Sequence, residues 1–386
     1  MLWFWLLAAP AILLAILALR GERARAEYVC RRLAEQRENR WTPPATVIVP
    51  VKGEDEGLRE NLAALASLDY PDYELIVAAR TAEDIPPGVL PPSARIVLSA
   101  AEESATGEKI QNLLAAVSAA RPSSTVFAFA DSDGRPGKDW LRALVAPLQE
   151  HGVGAVTGYR WYVPEPPDFW SLVRSVWNAA IAGNFGPGPN WFAWGGAMAI
   201  QKETFLAADV PSFWQGAVSD DYRLTHAVKQ AGLMVAYAPG ATVACPDHTS
   251  AREFFAWARR QLTISRTHGP ELWYRAMAGH VIYCGGMLAA IVAALSGSHL
   301  GEWALVAQLA LGMLKGANRS TLAKACLPEW ETWFKRYAWV YTWWAPLATW
   351  IWLITLISSA TSNRIVWRGR RYDLKRYNQP RKSRKS

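Results

Sequence analysis

Two carboxylates separated by one residue, Asp131 and Asp133, follow directly on residues 124–130, an apolar run rich in β-branched and aromatic side chains. Such a run reads as a buried strand, so the acids fall where strand gives way to loop. Carboxylates there are costly to desolvate unless a positive group lies between them. A Mg²⁺ or Mn²⁺ ion does that job, because hard cations take oxygen ligands and commonly share them with substrate phosphates. An isolated Asp-Ser-Asp-Gly is most often a solvated turn. This one has company in a second acidic pair, Asp220-Asp221, and in apolar spans at both ends of the chain.

The elements that must position these acids follow an α/β pattern. Residues 46–51, 73–78 and 94–98 read as further strands, and residues 57–68 and 109–120 as helices. Strands alternating with helices imply a mostly parallel sheet with ligands at the carboxyl ends of the strands, where Asp131 lies. Residues 168–181 carry Phe169, Trp170, Val173, Val176 and Trp177 at helical spacing, as a core or interfacial helix. The Gly- and Pro-rich residues 183–189 form a loop. Cys245-Pro246-Asp247-His248 has half of a metal motif and no second half, and reads as a loop. The four cysteines show no metal or disulfide spacing, which suits a reducing compartment.

Residues 2–19 carry no charge and are just long enough to cross a bilayer. Arg20, Arg23, Arg25, Arg31, Arg32, Arg37 and Arg40 follow this span rather than precede it, which favours a membrane helix over a signal peptide. The same cluster places the N-terminus outside and the following domain in the cytoplasm. The expected organisation is a membrane helix over 1–20, a charged helical connector over 21–45 and a cytoplasmic catalytic domain over 46–272. Membrane or interfacial helices over 273–363 and a basic tail over 364–386 complete it. Residues 276–295 make a good span, 303–314 are short alone, and 337–359 carry Pro346, so two or three C-terminal crossings can be drawn. The net charge of +8 is concentrated in the last 23 residues, which hold ten Lys or Arg against Asp373. A basic run after an apolar span is read as gripping anionic headgroups, not nucleic acid.

Stretches spread along the chain carry a family resemblance. They are Pro50-Val51-Lys52-Gly53-Glu54-Asp55, residues 68–74, Lys109-Ile110-Gln111-Asn112-Leu113, Asp131-Ser132-Asp133, Ser219-Asp220-Asp221-Tyr222, Arg259-Arg260-Gln261 and Trp367-Arg368-Gly369-Arg370-Arg371-Tyr372. In this order and with the apolar spans, the chain resembles the ceramide glucosyltransferase type of membrane-bound inverting glycosyltransferase. That type belongs to the large family that includes cellulose and hyaluronan synthases, and the likeness runs from about Val47 to Arg371. It implies a GT-A, Rossmann-like nucleotide-sugar transferase domain plus transmembrane helices. The implied donor is a UDP-sugar, the cofactor Mg²⁺ or Mn²⁺, and the acceptor a membrane lipid.

The resemblance also implies roles. Asp131 and Asp133 would hold the metal that bridges the donor phosphates, stabilising a diphosphate leaving group. Asp55 and Glu83 would lie near the nucleoside, although the usual acidic pair after the second strand is not clean here. Lys109 and Asn112, one helical turn apart, would touch the base or phosphates together, against the alternative that Lys109 is merely solvated. Asp221 would be the general base that takes the proton of the attacking hydroxyl, with Asp220 holding its geometry or raising its pKa. Both acids also suit the first turn of a helix over 222–231.

Arg259, Arg260 and Gln261 would bind the nucleotide-sugar, the guanidinium groups neutralising its diphosphate, with Arg266 and His268 as further candidates. Here the chain departs from the family, since Leu262 stands where a Trp is usual. In processive synthases that Trp contacts the growing polymer, so its absence favours adding one sugar, glucose by resemblance, to one lipid such as ceramide. Aromatics from Trp161 to Trp194 would form the acceptor side. The alternatives are another acceptor (diacylglycerol, hopanoid), UDP-N-acetylglucosamine as donor, a polysaccharide synthase, or a catalytically dead membrane adaptor.

Overall fold

The computed structural model describes residues 2–100 and 106–375, with Leu2 and Trp3 as backbone alone. It opens with one helix, α1 (Leu2–Glu38), so the apolar span and the charged connector form a continuous rod. Four strands then build the parallel half of a sheet: β1 (Ala45–Pro50), β2 (Tyr73–Ala79), β3 (Ala94–Leu98) and β4 (Val126–Ala130). Nearly every residue of β1 and β4 is buried, which is why both read as unbroken apolar runs. Helices α2 (Leu58–Ala66) and α3 (Glu108–Ala119) lie between them in sequence, and α3 buries Ile110, Leu113 and Ala116. Val47 pairs with both Leu75 and Ala128, so Pro50, Ala79 and Ala130 end at one edge of the sheet.

The other half keeps the mostly parallel arrangement with the exception of one strand. It contains β5 (Arg135–Pro136), α4 (Trp140–Val145), β6 (Val153–Thr157), β7 (Arg160–Tyr162), α5 (Phe169–Ala182) and β8 (Ala197–Gln201). β8 runs antiparallel between β4 and β6, pairing Ala197 with Ala130 and Met198 with both Phe129 and Thr157. That register sets Gly195-Gly196 beside Asp131. After α6 (Lys202–Ala207), α7 (Val210–Trp214) and α8 (Asp220–Gln230), β9 (Met234–Tyr237) completes the order β3-β2-β1-β4-β8-β6-β9. A small second sheet, in which β10 (Val243–Cys245) lies between β5 and β7, brings Arg160 and Asp247 to the same end of the domain.

Four helices follow: α9 (Ala251–His268), α10 (Pro270–Leu295), α11 (His299–Cys326) and α12 (Glu331–Ala360). Among the described residues three helical segments are long and apolar enough to cross a membrane, Phe4–Glu38, Pro270–Leu295 and Pro328–Ala360. The apolar stretch 303–314 is part of the 28-residue α11, which runs on through Lys315 and Arg319. α12 passes through Pro346 without ending, and the proline ring lies against Gly312 of α11, where a Cβ would come within 3.0 Å of Pro346 Cγ.

α12 is tied to the domain along its whole length. Trp333 Nε1 donates to Pro164 O at 2.9 Å, Trp161 Nε1 to Tyr341 Oη at 2.8 Å and Trp352 Nε1 to Trp177 O at 3.0 Å, while Arg266 donates to Ala360 O at 2.7 Å. Trp177 and Trp352 stack at 4.1 Å and 7°, a contact worth about 1 kcal/mol beyond its buried area. Val173, Val176 and Trp177 of α5 are therefore core residues, while Phe169 stays exposed.

The last described element is a hairpin, β11 (Arg364–Trp367) and β12 (Arg370–Asp373). Both turn residues, Arg368 (φ 48°) and Gly369 (φ 77°), take the positive φ that a tight two-residue hairpin turn demands. This corrects the reading of residues 364–373 as tail. Residues 376–386, with the rest of the basic run, lie outside the described residues.

Candidate active site

The parallel edge of the sheet opens into a cavity of about 740 Å³. Lys109, Asn112, Asp131, Asp133, Asp220 and Asp221 line one end, and Leu14, Tyr283, Gly312 and Trp352 of the surrounding helices line the other. Lys109 is the hub of the polar end. Its Nζ lies 2.9 Å from Asp131 Oδ1 and 3.1 Å from Asp220 Oδ2. Burial alone would push the ammonium pKa down, and the two carboxylates outweigh it and hold it above its ordinary value. Burial likewise opposes ionisation of Asp131, but Lys109 and Arg160 keep that carboxyl below its usual range. Asp220 is pushed up to about 6 by burial, with Lys109 pulling against it and Asp221 adding to it.

Arg160 supplies the second cation. Its guanidinium sits 3.3 Å from Asp133 Oδ2 and 3.7 Å from Asp131 Oδ2, and it lies over the Trp194 ring at 4.5 Å. Enclosure pushes the Asp133 carboxyl up to about 6, with Arg160 pulling the other way. Asp133 Oδ1 is buried without a hydrogen-bond partner. An orphaned carboxylate oxygen beside Asp131 fits a hard cation. Among the described residues no group of three or more His, Cys, Asp or Glu could hold a metal, so other oxygens would have to complete the shell. A bound diphosphate has them.

The sequence of this chain matches the model of glycosyl transferase family 21 over residues 3–379. The chain belongs to glycosyl transferase family 21. As a family 21 protein it is a glycosyltransferase. A search among curated proteins gives no match. Among solved structures, it is similar to a mycobacterial protein at 17% identity, covering 65% of this chain and 78% of that one with a TM-score of 0.39. It is also similar to glucosyl-3-phosphoglycerate synthase from Mycobacterium tuberculosis in complex with Mn²⁺ and UDP-glucose. That match has 18% identity, covers 58% of this chain and 79% of that one, and has a TM-score of 0.39.

Within the family 21 domain, most of the residues singled out by sequence converge. Asn112 lines the cavity, and its Oδ1 accepts from Ser99 Oγ. Asp55 accepts from Ser132 Oγ, next to the metal-type acids. Arg260 and Gln261 line the cavity, and burial pushes the Arg260 pKa down to about 10.

Two residues do not converge. Glu83 is exposed on a single helical turn, Ala82–Asp84, whose cap is closed by Thr81 and Asp84, and it does not line the cavity. Arg259 is turned about 100° around α9 from Arg260 and is likewise absent from the lining. Arg266 donates to Ala360 O, Ser362 O and Asn363 Oδ1, tying α9 to the end of α12. His268 is buried against the Tyr222 ring.

The structure adds residues that the sequence reading did not single out. Arg174 pairs with Asp247 at 2.7 Å, and both line the cavity. Arg368 at the hairpin turn reaches Asp55 Oδ1 at 2.6 Å, and Arg370 reaches Glu108 at 3.2 Å, so the C-terminal hairpin closes over the polar end. Trp367 beside it lies under Arg260 at 5.8 Å. The one available signal was the position of Trp367–Tyr372 in the resemblance, which carried no role.

Gly195 and Gly196 form the back of the site. A Cβ on Gly195 would come within 2.7 Å of Asp220 Oδ2, and one on Gly196 within 2.8 Å of Asp131 Oδ2 and 2.2 Å of the Trp194 ring. Gly196→Ala should therefore displace Asp131 and Trp194 together. UDP binding, measured by calorimetry, should weaken by about tenfold or more, equivalent to ~1.4 kcal/mol. Unchanged affinity would mean that the back wall yields freely.

Proposed function

We propose that the protein is an integral-membrane, inverting glycosyltransferase that moves one sugar from a UDP-sugar to a hydroxyl of a membrane lipid. The observation that carries this reading is the cavity's continuity, from Asp131 and Asp221 at one end to Leu14, Tyr283 and Trp352 between the helices at the other. A soluble acceptor needs no opening among apolar helices. Glucose and ceramide, which the resemblance implies, are the reference donor sugar and acceptor.

Asp131 and Asp133 would hold Mg²⁺ or Mn²⁺ together with the donor diphosphate, and the ion would supply Lewis-acid stabilisation of the leaving phosphate. Arg260, which has no carboxylate within salt-bridge distance among the described residues, offers a second charge for the diphosphate. Lys109 fixes Asp131 and Asp220 in place. Asp55 and Asn112 would meet the nucleoside. Asp221 takes the proton of the acceptor hydroxyl as its oxygen bonds to the anomeric carbon, and the bond to the diphosphate oxygen breaks on the opposite face.

The anchoring of α12 supports a particular topology. A 30-residue helix spans about 45 Å, yet the domain holds its start at Trp333 and its end at Ala360. α12 would therefore lie along the bilayer surface with Trp339, Trp343, Leu347, Ile354 and Ile357 exposed towards lipid, while α10 and α11 form the C-terminal crossings. With the arginines after the first span, this keeps the catalytic domain in the cytoplasm.

Membranes containing the protein should transfer label from UDP-glucose to extractable lipid. Chelation should lower the rate by about 10²-fold or more, and added Mn²⁺ or Mg²⁺ should restore it. No transfer from any UDP-sugar, with lipids of the native host supplied, would sink the proposal. Label appearing only in water-soluble product would sink its lipid part.

A further inference from the structure

Glu108, the first residue of α3, is a buried carboxylate with one oxygen unused. Its Oε2 accepts from Lys52 Nζ at 2.8 Å and from Arg370 Nη1 at 3.2 Å. Its Oε1 is buried without a hydrogen-bond partner, and the residue, only 4% exposed, lines the cavity beside Lys52 and Asn112. An unmatched carboxylate oxygen is costly in such a place, so a ligand that donates a proton to it is favoured there. The oxygen can only accept. It repels a phosphate, and the two cations on its partner oxygen repel a metal ion. What suits Oε1 is an N–H or an O–H.

Asn112 stands one turn further along α3 on the same face, with the two Cβ atoms about 6 Å apart. Ser99 Oγ donates to its Oδ1 at 2.5 Å, which sets the side-chain amide with Nδ2 turned away from Ser99. Among the described residues nothing accepts from that Nδ2, and Asn112 lines the cavity. α3 therefore offers the cavity an acceptor and a donor side by side. The edge of uracil has the complementary order, an imide N3–H beside the C4 carbonyl. Cytosine has it reversed, a bare N3 beside the C4 amino group. Glu83, the acid that the resemblance put near the nucleoside, faces solvent, and Glu108 is the acid that the fold delivers in its place.

We infer that Glu108 and Asn112 read the base of the donor nucleotide: Glu108 Oε1 accepts from uracil N3–H, and Asn112 Nδ2 donates to uracil O4. The inference rests on the nucleotide-sugar reading above and names the residues that select uridine over cytidine. Lys52 and Arg370 are positioning residues, holding Oε2 so that Oε1 is left for the base.

The test titrates the solubilised full-length protein, with Mn²⁺ present, against UDP, CDP, N3-methyl-UDP and 2′-deoxy-UDP. UDP should bind about tenfold or more tightly than CDP or N3-methyl-UDP, and 2′-deoxy-UDP should bind as well as UDP. These comparisons on the unaltered protein need no variant to fold. Glu108→Gln carries the sharper result. Lys52 and Arg370 can only donate, so the new amide turns its carbonyl to them and its NH₂ takes the place of Oε1. The variant should lose about tenfold in UDP affinity and gain in CDP affinity, so that the order of the two inverts. UDP-glucose and CDP-glucose should follow the same order in KM, with kcat little changed. Equal affinity of the unaltered protein for UDP and CDP, or a Glu108→Gln protein that loses both equally, overturns the assignment. A loss with 2′-deoxy-UDP that Glu108→Gln erases moves Glu108 to the ribose and overturns it too. Transfer from no nucleotide sugar to any lipid removes the sugar-transfer reading instead, and the binding arm still decides whether Glu108 reads a base.

Discussion

Asp221→Asn should cut sugar transfer by about 10²–10⁴-fold while leaving the fold and UDP affinity nearly unchanged. The contrast with its neighbour makes the case. Asp220 is buried, and its Oδ2 is tied to Lys109 at 3.1 Å, so it is not free to meet a substrate. Asp221 is only partly buried and lines the cavity. Its Oδ1 accepts from Ser219 Oγ and from the Tyr222 amide at 2.7 Å, which holds the carboxylate in one orientation. No described side chain donates to Oδ2, which leaves that oxygen for an acceptor hydroxyl.

Asparagine keeps the shape and one carbonyl oxygen for those two donors but cannot accept the proton. Its cost at the start of α8 is the loss of a charge in a first helical turn, about 0.3–1 kcal/mol. Single-turnover transfer and calorimetric UDP titration on the same preparation separate the outcomes. Lost UDP binding would move Asp221 to the donor site. Transfer within about threefold of the parent would leave it as a helix acid only.

What the sequence disclosed about this site depended on how each residue reaches it. β1 and β4 are buried on both faces, so their apolar runs announce themselves, and the sequence alone puts two acids at the end of β4. β8 does not announce itself. Its Ala197-Met198-Ala199-Ile200-Gln201 is short and small, and it stands antiparallel between two strands it follows by many residues. A doubly wound pattern gives no hint of that insertion, yet it is what sets Gly195-Gly196 against Asp131 and Asp220.

Arg160 was hidden differently. It is a single cation in an aromatic stretch, and only the pairing of β7 with β10 turns it towards Asp131 and Asp133. Arg368 was masked by its neighbours, because a run of ten basic residues invites one explanation for all of them. The hairpin turn takes it out of the run and sets it on Asp55. Glu83 fails in the opposite sense: an acid in the right loop, it faces solvent because Asp84 and Thr81 close the turn between them. Residue type and order exposed the charges that face each other across the sheet edge. Charges delivered from distant segments needed the fold.

Lys109→Met should be the most damaging single change at the polar end, destabilising the protein by about 3 kcal/mol and abolishing UDP-sugar binding. The ammonium is shared between Asp131 and Asp220, and methionine fills its volume without its charge. Two carboxylates would then confront each other inside the domain, with only Arg160 near Asp131 to compensate. The variant's Asp220 carboxyl, already pushed up to about 6 in the parent by burial, would rise further without Lys109 opposing it.

The sign of the pH effect follows. A carboxyl whose folded pKa lies above its unfolded value favours the fold when protonated, so its contribution is lost as pH rises through the folded pKa. Lys109→Met should therefore unfold more readily at pH 8 than at pH 5.5, relative to the parent, in thermal scans of the solubilised protein. Asp220→Asn added to Lys109→Met removes the orphaned charge and should recover a large part of the loss and flatten the pH dependence. A Lys109→Met protein as stable as the parent would show Lys109 to be an ordinary solvated helix residue. A double variant no better than the single would mean that Asp131, not Asp220, is the acid that Lys109 chiefly serves.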